Sequence, residues 1–228
     1  MVAVSQRKPP GITYSIIHQL VKSGVDVNAV DKYGNTALLL AMTNEQCIRK
    51  AHIQLLLHHG ARTDVVNSDG LTPLWQAVYN GSQNSCWYRV VELLLALNVN
   101  LNRSCRGQLL FTCGLNRVYT YENRMTPLEV AMDIGNFAAA RLLILAGARV
   151  TSQVQHELLH ADEGTSSKQL GDLLGPRTLL HSCRIAIRSV LGTSLYRTVP
   201  RLPLPSLMQS YILMQEHFPD QTRLKPVS

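Results

Sequence analysis

The chain has 228 residues, 46% of them hydrophobic and 16% charged, with a formal net charge of +7. That balance is close to the globular norm and excludes a disordered polyelectrolyte. The positive charge favours acidic partners in general, but Arg7-Lys8 and Arg49-Lys50 are isolated pairs and no basic block occurs, so nucleic-acid binding is not expected.

Other classes fall on the same inspection. No run approaches the about 18 apolar residues of a membrane span, and Met1–Lys8 lacks an apolar core of signal-peptide length. The expectation is a soluble protein of the cytoplasm, with access to the nucleus left open and no membrane partner. Cys47, Cys86, Cys105, Cys113 and Cys183 are odd in number and have no C-x-x-C spacing, which argues against a disulfide framework or a ribbon-type zinc site. His58 and His59 are consecutive and point about 100° apart on a helix, so they do not converge on a metal. No phosphate-binding glycine loop, paired catalytic carboxylates or RING-like Cys/His set is present. Neither a cofactor nor an enzymatic activity is expected.

In chain order, Gln6-Arg7-Lys8-Pro9-Pro10-Gly11 cannot be a helix interior. The first helix is therefore expected over about Tyr14–Ser23, closed by Gly24. Ile12, Ile16, Ile17 and Leu20 are apolar enough to pack on a neighbour, so either residues 1–17 cap this half-unit or the stack is a shortened one. Three segments then repeat one theme: Thr36-Ala37-Leu38, Thr72-Pro73-Leu74 and Thr126-Pro127-Leu128. A threonine accepts a backbone N–H as N-cap in all three, and the prolines of the second and third lack only a donor that is orphaned anyway, so these segments start helices sharply.

A second theme closes each unit at Gly24, Gly60, Asn98 and Gly147 after an apolar helix, with a left-handed residue as terminator. Gly24 to Thr36 and Gly60 to Thr72 are both 12 residues, and Thr126 to Gly147 is 21. The longer spacing from Asn98 to Thr126, 28 residues, places an insertion at about 103–121 that should bulge to the surface.

The Thr-Ala-Leu and two Thr-Pro-Leu helix starts at this spacing resemble ankyrin repeats. The implied fold is all-α: an ankyrin-repeat solenoid over 1–151, with a half-repeat at 12–30 and about three full repeats at about 31–66, 67–102 and 121–151. Residues 152–177 are a partly helical connector, 178–216 a small helical module and 217–228 a tail.

Within that module Thr178 is a plausible N-cap, and Leu179, Cys183, Ala186 and Val190 fall at i, i+4, i+7 and i+11, one stripe of a helix ended by Gly192. Arg184 and Arg188 lie off that stripe. Leu202-Pro203-Leu204-Pro205 follows, a stiff segment in which alternate prolines hold the chain extended, before Ser206 as a second N-cap and the stripe Leu207, Met208, Tyr211 and Ile212. This order, Thr-Leu-x3-Cys-x3-Ile and then Leu-Pro-Leu-Pro, is similar to a SOCS box, and with the repeats the chain resembles the ankyrin-repeat and SOCS-box family.

That resemblance implies a substrate receptor of a cullin-RING ubiquitin ligase, non-catalytic in itself. Thr178, Leu179, Cys183 and Ile187 would bind elongin C with elongin B, Leu202, Pro203, Leu204 and Pro205 would select a cullin, most simply the fifth, and the repeats would hold a protein substrate. Hairpin tips and first helices usually line the concave face of such arrays, which nominates Lys32, Tyr33, Ser68, Asp69, Asn123 and Arg124, with Trp75 and Tyr79 on a first helix. The basic and aromatic insertion, with Arg103, Arg106, Arg117, Tyr119 and Tyr121, is a further candidate contact. The alternative is a non-ligase ankyrin scaffold or inhibitory module whose tail only caps the array.

Overall fold

The computed structural model describes residues 10–43, 50–81, 85–97, 99–107, 121–160, 170–171 and 179–214. The half-unit contributes α1 (Pro10–Lys22), and three helix pairs follow: α2 (Ala37–Thr43) with α3 (Lys50–His58), α4 (Pro73–Asn80) with α5 (Ser85–Ala96), and α6 (Pro127–Asp133) with α7 (Phe137–Ala146). First helices stack on first helices and second on second, as in a solenoid in which each unit touches only its neighbours. The all-α array expected from the spacing is what forms.

Helix starts follow the predicted chemistry. Thr36 and Thr72 Oγ1 accept from the amides of Leu39 and Trp75 at 3.3 and 3.2 Å. Thr126 goes further, because its Oγ1 accepts from Glu129 N at 3.3 Å while Glu129 Oε2 accepts from Thr126 N at 2.7 Å, a reciprocal capping box. Helix α1 begins at Pro10 rather than near Tyr14. Proline is tolerated in the first turn because its missing N–H has no intrahelical partner there.

Adjacent units are tied by asparagine side chains. Asn28 Nδ2 donates to Gly60 O at 3.0 Å and its Oδ1 accepts from Arg62 N at 2.8 Å. Asn102 Oδ1 takes the same role toward Arg149 N at 2.7 Å. Where the hairpins stack, Gly34 has φ +74° and a side chain there would stand 3.2 Å from Asn67 Cα. One core runs through the stack from Ile17 to Ile144 and continues into Val154 and Leu158, which lie on α8 (Ser152–Leu159) of the connector.

The insertion differs from a simple surface bulge. Strands β1 (Cys105–Gly107) and β2 (Tyr121–Met125) pair antiparallel, Cys105 with Met125 and Gly107 with Tyr121. The ladder closes the loop at its base and drives Cys105 into a second cluster with Leu71, Trp75, Tyr79 and Val130. Burial pushes the Cys105 thiol up from its ordinary pKa. The tip of the insertion with Tyr119, Asn98, Cys47, residues 161–169 and 172–178, and the tail lie outside the described residues.

The terminal module consists of α9 (Leu179–Leu191), a 3-10 turn at Gly192–Ser194, α10 (Leu195–Thr198), a second 3-10 turn at Val199–Arg201 and α11 (Ser206–Ile212). It has a small core of its own, Leu195, Val199, Ile212 and Leu213, against which Ile187, Leu191 and Leu204 pack. Met214, just beyond α11, is fully buried within the core of the array.

Removing the capping box tests the helix-start argument. Thr126→Ala should lower unfolding stability by about 1 kcal/mol, read as a reduced urea midpoint of the whole chain with unchanged slope.

Candidate functional site

Helix α9 is folded the opposite way round from an ordinary surface helix. Its apolar stripe faces solvent: Leu179 is 81% exposed and Val190 83%, with Leu180, Cys183 and Ala186 exposed between them. The two arginines that lie off the stripe are the buried residues, each only 2% exposed. Sequence periodicity located the stripe but not its direction, since a polar face normally points to water.

The reason lies in what the arginines find inside. The last four carbonyls of any helix lack an intrahelical donor and carry the negative end of its dipole. Arg184 Nη2 donates to Leu145 O, in the last turn of α7, at 3.2 Å. Arg188 Nη2 donates to Leu95 O, in the last turn of α5, at 2.6 Å, and its Nη1 to Ile212 O, the final residue of α11, at 3.0 Å. Three helix ends are thereby capped by two guanidinium groups spaced i, i+4 on one face.

Arg184 is held further by His181 Nδ1, which accepts from it at 2.9 Å, and by the ring of Tyr211, whose centroid lies 4.4 Å from the guanidinium carbon. Burial, with Arg184 as the lesser second cause, lowers the Arg188 pKa to about 10, so it stays cationic near neutrality.

Close packing completes the seam. Gly147 ends α7 with φ +99°, and a Cβ built on it would stand 3.1 Å from two carbons of Ile185. The same glycine thus stops a repeat helix and admits α9.

The four residues of the second motif form a short extended link. Leu202 (φ −75°, ψ 143°) and Pro205 (φ −53°, ψ 145°) are in the extended conformation. Pro203 and Pro205 are exposed, whereas Leu202 and Leu204 are half-buried, with Leu204 against the small core. Gln209 Nε2 donates to Leu204 O at 3.0 Å and to Leu202 O at 3.3 Å, fixing the link to α11. Pro205 rather than Ser206 occupies the N-cap position, without a side-chain cap. Leu207 is 84% exposed and Met208 is also outward, while Tyr211 and Ile212 of that stripe turn inward.

Family models match the chain on both sides of this seam, ankyrin repeats (3 copies) over residues 1–105 and 53–154 and the SOCS box over 175–213. The chain belongs to the ankyrin-repeat and SOCS-box family. Ankyrin repeat and SOCS box protein 16 of Homo sapiens is 28% identical over 197 residues, 86% of this chain and 40% of the relative. Ankyrin repeat and SOCS box protein 5 of Oryctolagus cuniculus is 29% identical over 92 residues, 38% of this chain and 28% of its own length. An ankyrin repeat protein of Fowlpox virus (strain NVSL) is 32% identical over 134 residues, 58% of this chain and 33% of its own. The chain therefore spans less than half the length of these relatives.

Within this frame the SOCS-box residues separate by direction. Leu179 and Cys183 lie on the outward face, Ile187 is half-buried against the small core, and Thr178 lies outside the described residues.

The array surface corrects two assignments. Trp75 and Tyr79, nominated as contacts on the concave face, are 2% and 6% exposed. Their rings stack at 5.6 Å with 8° between planes, in the cluster completed by Cys105 from the insertion. They pack the array and present no surface to a second protein.

The hairpin tips are open. Lys32 sits over the Tyr33 ring at 4.8 Å, and Tyr33 is exposed. Ser68 Oγ donates to Tyr33 O at 2.5 Å, bracing one tip on the next. Ser68, Asp69, Arg103 and Arg124 line a polar cavity of about 450 Å³. Tyr121 and Asn123 are placed here only by their backbone, in β2, and Tyr119 lies outside the described residues.

Substitution at the tight contact tests the docking of α9. Gly147→Ala forces a side chain into a left-handed residue and against Ile185, so unfolding stability should fall by about 1–3 kcal/mol. Thermal denaturation beside a control Ala substitution at exposed Gly24 separates the two causes, since nothing lies within 4 Å of a Cβ there.

Proposed function

We propose that this chain is the substrate-binding subunit of a cullin-RING ubiquitin ligase, its SOCS box docking elongins B and C and its ankyrin repeats holding a protein to be modified. The observation that carries this reading is the outward apolar face of α9. Leu179, Leu180, Cys183, Ala186 and Val190 are exposed on a helix whose charged residues are buried. Exposed contiguous apolar surface of this kind marks an interaction site. A helix laid into an apolar groove uses anchors at i, i+4 and i+7, the spacing these residues have.

In this reading Leu179 is the long anchor on elongin C, Cys183 the small one that permits close approach, and Thr178 belongs to the same contact. Ile187 contributes from the edge of the face, where it also supports the SOCS-box core. The extended link Leu202-Pro203-Leu204-Pro205 and the exposed Leu207 and Met208 beyond it form the surface that selects the cullin, most simply the fifth. The substrate lies over the hairpin tips, with Lys32, Tyr33, Ser68, Asp69, Asn123 and Arg124 as contacts, and Tyr119 and Tyr121 of the insertion beside them.

The protein makes and breaks no bond itself. It holds a lysine-bearing partner near the ubiquitin-loaded enzyme carried by the cullin, and such proximity converts a bimolecular encounter into an effectively intramolecular one.

Because Leu179 and Cys183 are exposed, changing them should remove the partner without harming the fold. Leu179→Glu with Cys183→Glu is expected to abolish co-purification of elongins B and C while leaving the melting temperature unchanged. Equal recovery with the unaltered chain rejects the reading, and absence of elongins from both leaves the scaffold alternative in its place.

The second motif has a separate expectation. Pro203→Ala with Pro205→Ala should weaken cullin capture by about tenfold, through lost preorganisation of the link, with elongin recovery unchanged. Joint loss of both partners contradicts the division of roles.

A further inference from the structure

The SOCS box meets the array along a seam that apolar packing fills incompletely. A cavity of about 380 Å³ lies there, lined by Asp64, Leu101, Gly147, Ile185, Arg188 and Ser189 among others. The core of the SOCS box is separate from that of the array. Apolar contact across the seam comes from Ile185 on Gly147 and from Met214, which is fully buried in the array's core and held at φ 59°. Such contacts attract, but they are non-directional.

Among the described residues, the two arginines supply directional bonds across the seam. Arg184 reaches the end of α7 and Arg188 the end of α5, second helices of successive repeats. The remaining prong of Arg188 holds Ile212, at the end of α11 within the SOCS box itself. The guanidinium plane fixes the angle between its N–H bonds, so bridging Leu95 O and Ile212 O fixes two helices in relation to each other. A lysine ammonium is a point charge with freely rotating donors and lacks this geometry.

We propose that Arg184 and Arg188 are positioning residues, a clamp that reads the carbonyl ends of two consecutive ankyrin units and thereby sets the direction of the elongin-facing side of α9 relative to the hairpin tips. The functional sense of the clamp rests on the receptor reading above; its geometry does not. A receptor works by placing a target at a defined distance and angle from a distant enzyme, so a loosened seam costs transfer efficiency even when both partners remain bound.

Replacing buried ions by apolar side chains of similar volume is often neutral for stability, so Arg184→Met with Arg188→Met should fold. The experiment measures distances by electron–electron resonance in the full chain. Spin labels are placed at Tyr33→Cys, on a braced hairpin tip, and Ser206→Cys, at the start of α11, with Cys47, Cys86, Cys113 and Cys183 changed to Ser. The unaltered clamp should give one narrow distance distribution. The double Met variant, and Arg188→Lys alone, should broaden it by roughly twofold or more, as expected of a seam freed to rock.

Met214→Ala supplies the control for a merely structural disturbance of the seam. It removes burial at the same seam without touching a carbonyl bond, and should lower the melting temperature while leaving the distribution narrow. Unchanged width in the arginine variants overturns the proposal, and so does equal broadening by Met214→Ala. Elongin recovery, measured on the arginine variants with the native cysteines in place, should match the unaltered chain. Selective loss in the variants would mean that the arginines shape the face rather than its direction, whereas absence of elongin from the unaltered chain bears only on the receptor reading.

Discussion

Two buried guanidinium groups organise this molecule. An arginine side chain is far too strongly hydrated to enter a protein interior without acceptors, and here the acceptors are carbonyls that helix ends cannot satisfy themselves. Leu95, Leu145 and Ile212 each supply one. Solving both problems at once turns α9 over. With its cations inward, the helix has no choice but to hold Leu179, Cys183 and Val190 toward solvent, so the outward apolar face is a by-product of how charge is buried behind it.

Much of the array was legible in the chain because its signals are local. A threonine followed two residues later by leucine starts a helix through the chemistry of its own hydroxyl, and the bonds to Leu39, Trp75 and Glu129 amides are those the motif demands. The apolar stripe of α9 was legible for the same reason, since 3.6-residue periodicity is written in consecutive residues. The roles of Arg184 and Arg188 were not. Their acceptors lie 39 and 93 residues away in sequence, and no local pattern announces them. An isolated arginine pair at i, i+4 reads as a solvated face until the helix ends meet it in space.

Trp75 and Tyr79 show the converse error. Large aromatics on the concave helix suit an interface by type, yet the strand bearing Cys105 folds over them. Spacing cannot tell a loop from a short ladder, and the ladder at Cys105–Gly107 and Tyr121–Met125 decides whether the aromatics face a partner or the interior. At the hairpin tips, Arg103 and Arg124 line a polar cavity together with Ser68 and Asp69.

The seam also gives the solenoid a polarity. Leu95 and Leu145 close neighbouring units, and the span between α9's two prongs must equal the offset from one unit to the next. Between those carbonyls in sequence lie the paired strands β1 and β2. Units stacked beyond α1 face no such rule. Repeats added on the far side would leave the arginine bonds untouched, while the pair of repeats abutting the SOCS box stays anchored like the fixed end of a measuring rod.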